Sequence, residues 1–382
     1  MRRATTTQVA GNVNKEVTVK SFQTMCAVVW MAVLGCSTSA FSQELSKTNE
    51  KNTHAPGAHA EDGAALYARY CALCHGADRE GYAADHAPSL RSAQLMGSAP
   101  GSYLWTAISY GRSNTAMAAF QESLGGPLSH DAQHALMDWL LVESGHERTP
   151  VDDAPVVGTP ANGASIYTQH CAECHGARGE GGTGTALANP VFLATASDAF
   201  IRHTIVHGRD GTPMQAYAAA LTEIQINDVV AFLRSRATEW NARKPVLVSP
   251  PDPAQAVLNP TAPPATLKHR KNRYVSAKSV ADAMKRGERM VLLDARPMSD
   301  WQRSHLPGAL PMPFYDGIET LLPHLPNDGT PIIAYCACPH AASGRVVDAL
   351  HTAGYASARI LDEGVLIWAG RGYPLAVGSV RQ

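Results

Sequence analysis

Charge of one sign is scarce in this 382-residue chain. Its 32 lysines and arginines stand against 33 aspartates and glutamates, leaving a net charge of −1. That balance argues against nucleic acid or an anionic membrane surface as main partner, because both are held by a basic excess. Membrane-length apolar runs are scarce too. The run "MCAVVWMAVLG", from Met25 to Gly35, is too short to span a bilayer comfortably. It follows Arg2, Arg3, Lys15 and Lys20 and is itself followed by small residues, so residues 1–42 read as a secretory signal. One exit is cleavage at "AFS", Ala40 to Ser42. The other is lipidation of Cys36 in "VLGC", where Leu34 is bulky for a lipobox. The expected destination is a bacterial periplasm, with Cys36 as the route to a membrane anchor.

What is present can fold. Hydrophobic residues make up 45% of the chain, and its length suits two or three domains. An internal repeat organises the first part. "EDGAALYARYCALCHG" recurs one hundred residues later as "ANGASIYTQHCAECHG", so that Gly63, Tyr67 and Cys71 parallel Gly163, Tyr167 and Cys171. The spacing of four puts tyrosine and cysteine on one helical face. Each copy closes with an amphipathic segment carrying an aromatic, Trp139 or Phe232. The two units cover residues 57–148 and 161–237, joined by a linker at 149–160. Residues 238–271 read as a second linker, since seven prolines fall between Pro245 and Pro264. From about residue 272 to 380 the texture becomes α/β. "RMVLLDAR" and "TPIIAYC" suit buried strands, and "SVADAMKRG" and "ASGRVVDALHTAGY" suit helices between them.

The repeated Cys-x-x-Cys-His is the attachment signal for c-type haem. Two thiols add to the two haem vinyl groups, and the next residue is carried beneath the iron. Cys71, Cys74, Cys171 and Cys174 are therefore the expected attachment sites, and His75 and His175 the expected iron ligands. A dithiol redox motif has no need of the histidine, and a zinc site would want further paired ligands nearby. The sixth iron position commonly takes a methionine in electron carriers. Met214 is the sole methionine of the second unit. In the first unit Met117 competes with Met96 and Met137. The spacing Ile108, Gly111, Met117 repeats as Ile205, Gly208, Met214, which favours Met117 and Met214. His207 is the rival ligand in the second unit.

Both units resemble class I cytochrome c domains. That resemblance implies two mainly-α cytochrome folds, two covalently attached haem c groups, an electron-carrier role and redox protein partners. It also places Pro88 and Pro190 where the family uses a proline carbonyl to orient the histidine.

The remaining cysteine pair has a different context. "MVLLDARPMSDWQRSHLPGALPMPF" resembles a rhodanese homology domain through Asp294, Arg296, Asp300, Trp301, His305, Gly308 and Ala309. Ser304 and Glu363 stand where that family has glycine. The resemblance implies that Cys336, at the end of "PIIAYC", carries sulfane sulfur as a persulfide. The loop "CACPHAASGR" is one residue longer than usual and has Ala341 in place of an arginine. Cys338, His340 and Arg345 are its additional polar candidates, and Cys338 is a candidate resolving thiol. The fold class is thus multidomain, with two cytochrome c domains and one α/β rhodanese-like domain. Three functions compete: an exported dihaem electron carrier linked to sulfur metabolism, a sulfur-oxidising enzyme in which the haems accept electrons from a Cys336 persulfide, and a plain sulfurtransferase. Thiosulfate, sulfide and polysulfide are the candidate small partners.

Overall fold

A computed structural model describes residues 62–149, 151, 155–240, 246–337 and 340–377. The expected signal, Cys36 and Cys338 lie outside the described residues. The first unit contains α1 (Gly63–Tyr70), α2 (Ala72–His75), α3 (Ala93–Ser98), α4 (Gly101–Tyr110) and α5 (His130–Ser144). The second repeats the plan with α6 (Pro160–His170), α7 (Ala172–His175), α8 (Pro190–Thr195), α9 (Asp198–His207) and α10 (Glu223–Ser235). Local signals set the ends of the closing helices. The Ser129 hydroxyl accepts from the Ala132 N–H at 3.1 Å to start α5. Thr222 and Gln225 form a reciprocal capping box at α10.

In each unit the first helix packs on the last. Glycine is needed at the crossing. A Cβ on Gly63 would strike the Ala135 carbonyl, and one on Gly163 the Asp228 carbonyl. Close approach brings Tyr67 to 5.1 Å from Trp139 and Tyr167 to 5.1 Å from Phe232, ring centre to ring centre.

The duplicated units also pack on one another, and the contact is reciprocal. Ser92 caps α3 and Asn189 caps the equivalent α8. The Asp210 carboxylate of the second unit accepts from the Ser92 hydroxyl at 2.6 Å and from the Ala93 and Gln94 N–H groups at 3.0 Å. In return Asn189 donates to the carbonyl of Ser113, the first unit's counterpart of Asp210, at 2.8 Å. Tyr103 fills the centre, 5.9 Å from Phe192 and 5.0 Å from Phe200.

The third region holds β1 (Val257–Leu258), β2 (His269–Arg270), β3 (Tyr274–Val275), α11 (Ala277–Lys285), β4 (Met290–Asp294), α12 (Met298–Arg303), β5 (Leu310–Pro311), β6 (Ile332–Tyr335), α13 (Ala341–Thr352), β7 (Ala358–Leu361) and α14 (Gly364–Gly370). The sheet runs β1-β4-β6-β7-β3-β2, with β5 also paired to β4. β4, β6 and β7 are parallel and central, and every residue of β4 and β6 is buried. This is why both read as continuous apolar runs. The linker expected over 238–271 needs correcting in its second half. β1 and β2 add antiparallel edges to the sheet, and Ala256, Ala265 and Leu267 are buried. Neither β1 nor β2 contains a proline, so the prolines of this stretch cost those strands no backbone N–H.

Candidate functional sites

The two Cys-x-x-Cys-His turns are built alike. Cys71 ends α1 and Cys171 ends α6, each by a bond from its N–H to the tyrosine four residues earlier, at 2.9 and 2.8 Å. The Tyr67 hydroxyl donates to the Gly76 carbonyl at 2.7 Å, and the Tyr167 hydroxyl to the Gly176 carbonyl at 2.8 Å. Each tyrosine thus ties its helix to the residue just past the motif histidine.

His75 Nδ1 donates to the Pro88 carbonyl at 2.8 Å, as the sequence suggested. His175 Nδ1 donates instead to the Thr185 carbonyl at 2.7 Å. Pro190 does not serve, because it sits in the first turn of α8, beyond the Asn189 cap. In both units the bond places the ring proton on Nδ1 and leaves the Nε2 lone pair available to a metal. Burial also lowers the pKa of both imidazoles, which keeps them neutral. Burial pushes the Cys71 and Cys74 thiols up to about 12 and Cys171 to about 11. Among the described residues no group of three or more His, Cys, Asp or Glu could hold a metal ion by itself.

The methionine loops match as well. The Arg112 N–H donates to the Met117 carbonyl at 2.7 Å, and the Arg209 N–H to the Met214 carbonyl at 2.8 Å. The Met117 N–H donates to Thr115 Oγ1 at 3.1 Å and the Met214 N–H to Thr212 Oγ1 at 3.2 Å. Gly111 and Gly208, at φ 67° and 69°, let the loop fold back against the methionine carbonyl. Both methionines are half-buried, whereas Met96 and Met137 are buried in the helical core. His207 is exposed and its ring lies 4.3 Å from His203.

Sequence reasoning passed over two arginines. The Arg112 guanidinium lies 4.8 Å from the Tyr103 ring centre, and Arg209 lies 4.9 Å from that of Phe200. Burial pulls the Arg209 pKa down to about 10. Nη1 of each is buried with no hydrogen-bond acceptor among the described residues. Their equivalent positions after Gly111 and Gly208 were the available signal. A buried donor without acceptor is costly and points to an anionic group that belongs beside it.

In the third region Cys336 follows β6 at the carboxyl end of the parallel strands, where such sheets bind ligands. It is buried, and its sulfur lies 3.3 Å from the Ser343 hydroxyl in the first turn of α13. The helix N-terminus there favours an anionic sulfur. Arg345 is exposed on α13, and His340 bonds Asp362 Oδ1 at 3.0 Å. The other matched residues form a buried scaffold. Arg296 Nη2 donates to Asp294 Oδ2 at 2.6 Å, and the Tyr335 hydroxyl to the same oxygen at 2.9 Å. Trp301 Nε1 donates to the Ala309 carbonyl at 2.9 Å and its ring stacks on His305 at 4.3 Å. Glu363 replaces a glycine usefully, since its carboxylate accepts from the Ala277 N–H that opens α11, at 2.7 Å.

Known proteins match three stretches of the chain. Residues 58–139 and 158–233 match the family described as cytochrome c oxidase, cbb3-type, subunit III. Residues 276–371 match the rhodanese-like domain family. Cytochrome c6 of Synechococcus elongatus is 33% identical over 86 residues, 21% of this chain and 92% of that protein. The cbb3-type cytochrome c oxidase subunit CcoP of Cereibacter sphaeroides is 26% identical over 180 residues, 45% of this chain and 59% of the other. The dihydro-heme d1 dehydrogenase of Pseudomonas aeruginosa is 38% identical over 85 residues, 22% of this chain, and the chain spans 17% of its length. The duplicated turns and their shared hydrogen-bond scaffold agree with the match to cytochrome c6 over 92% of that protein, and the chain belongs to the cytochrome c family, with a C-terminal domain that matches the rhodanese-like model.

Proposed function

We propose that this protein is an exported, periplasmic dihaem c-type electron carrier that works on sulfur compounds through Cys336. The observation that carries the two-haem reading is the identity of the two scaffolds. In both units the histidine is pinned through Nδ1, the methionine loop is held by the same arginine and threonine bonds, and one buried arginine nitrogen, Nη1, lacks an acceptor among the described residues. Those arginine nitrogens fit the two carboxylates that a haem carries. Cys71, Cys74, His75 and Met117 would hold one haem, and Cys171, Cys174, His175 and Met214 the other. Haem supplies a one-electron couple between ferric and ferrous iron.

The residues of the chain do the rest. Tyr67 and Tyr167 hold each attachment turn, Pro88 and Thr185 orient the imidazoles, and half-buried Met117 and Met214 offer a soft sulfur, which raises the potential. Cys336 would carry sulfane sulfur, with Ser343 and the first turn of α13 stabilising its anion. Thiosulfate or polysulfide would donate that sulfur and a redox protein would exchange electrons. A second reading, a sulfur oxidoreductase, is favoured by the packing of α13 on α2. The test is to mix the oxidised holoprotein with sulfide, thiosulfate or polysulfide and follow the haem spectrum. Reduction that is lost in Cys336→Ser would establish the oxidoreductase. Reduction only by a protein donor, with sulfur still loading on Cys336, would leave the carrier. A pyridine haemochrome assay giving one haem per chain would overturn the dihaem reading.

A further inference from the structure

The first Cys-x-x-Cys-His turn is covered by the rhodanese-like domain. α2, which contains Cys74, packs against α13. At the end of α1, the rings of Tyr70 and Tyr315 meet edge to face at 4.9 Å, and Arg69 Nη2 lies 3.3 Å from an Asp316 carboxylate oxygen. The Ser299 hydroxyl of α12 donates to the carbonyl of Ala119, two residues past Met117. Cys336 opens the loop into α13, and its sulfur lies 3.3 Å from the Ser343 hydroxyl in the first turn of that helix, which packs on α2. The second turn is placed differently. Cys174 is exposed.

Resting on the reading of Cys336 as a sulfur carrier, we propose that Cys336 and the first haem site are one coupled site, in which the sulfur load on Cys336 sets the redox poise of the first haem and leaves the second unchanged. Loading is a group transfer. The Cys336 sulfur attacks the outer sulfur of thiosulfate, a new S–S bond forms, the S–S bond within thiosulfate breaks, and hydrogensulfite leaves with the thiol proton. The balance is Cys336–SH plus S2O3²⁻ giving Cys336–S–S⁻ plus HSO3⁻, with no electrons gained or lost. The site gains one negative charge, and a negative charge beside a redox centre favours its oxidised form. At about one interhelical distance, roughly 10 Å, and an effective dielectric of about 20, a unit charge changes a reduced-to-oxidised ratio about tenfold. The coupling is reciprocal, so reduction of the first site weakens retention of the anionic persulfide by the same factor.

Spectroelectrochemical titration of the full-length holoprotein tests this. Met117→His and Met214→His each lower one midpoint and so assign the two. After thiosulfate treatment, with the adduct on Cys336 confirmed by mass spectrometry, the first midpoint is expected to fall about 59 mV, the tenfold change for one electron. The second is expected to stay, and Cys336→Ser to abolish the shift. Cys336→Asp supplies a standing charge without sulfur chemistry and is expected to lower the first midpoint relative to Cys336→Ser. A confirmed adduct with both midpoints unmoved, or with the second one moved instead, overturns the coupling and leaves the carrier reading intact. No adduct from thiosulfate or polysulfide overturns the carrier reading and this proposal together.

Discussion

At the scale of single residues, the two units differ in sequence yet repeat the same few polar contacts. Thr115 and Thr212 hold the methionine N–H groups, and Arg112 and Arg209 hold the methionine carbonyls. These bonds fix the loop without touching the thioether, which leaves each sulfur available. Met117→Ala and Met214→Ala are each expected to remove the sulfur-to-iron band of one haem and lower that midpoint, with the other haem unchanged. Absorption and redox titration of the two variants check this, and loss of both bands from either substitution would contradict independent sites.

At the scale of elements, stability comes from helices that cross closely and caps that reach between units. Gly163 lies against the Asp228 backbone, so Gly163→Ala must push α6 from α10. A cost of about 1–3 kcal/mol, typical of overpacking, is expected, read as a lower unfolding midpoint in denaturant. Asp210 caps the neighbouring unit's α3. Burial would raise its pKa, but the Ser92, Gln94 and Ala93 bonds outweigh burial and the pKa is lowered. A lowered carboxyl pKa contributes stability above the ordinary aspartate range, near 4, and that contribution is lost as pH falls through the lowered folded value. The stability gap between the wild type and Asp210→Asn is therefore expected at neutral pH and should close in acid. A gap independent of pH would show that the cap does not depend on the carboxylate charge.

For the whole molecule, charge is uneven although its sum is near zero. Between Glu61 and Glu147 ten acidic residues face four arginines. A basic redox partner should approach this unit faster at low salt, with an association rate that falls as ionic strength rises. Stopped-flow electron transfer over a salt series measures it, and a flat profile would exclude electrostatic steering. The rhodanese-like domain covers the attachment turn of this unit through α13 and Tyr315. A partner's access to that turn is therefore bounded by the rhodanese-like domain.

The sequence by itself determined the local chemistry and the element types. Cys-x-x-Cys-His spacing, helical periodicity and the unbroken apolar runs of β4 and β6 are short-range properties, and short-range properties can be read from neighbours in the chain. The repeat also singled out Met117 and Met214 as candidates by parallel spacing, and family resemblance pointed to Pro88, whose carbonyl accepts from His75. Tertiary structure alone decided what depends on distant segments meeting. Thr185 rather than Pro190 reaches His175, because the second loop folds back early and Pro190 is spent opening α8. β1 and β2 join the sheet from a proline-rich stretch, because edge pairing depends on a partner strand rather than on composition. Arg345 turns outward on α13, because helical phase and packing on β6 and β7 set its direction. The packing of α13, which follows Cys336, on α2, which contains Cys74, joins distant domains, and no local pattern encodes it.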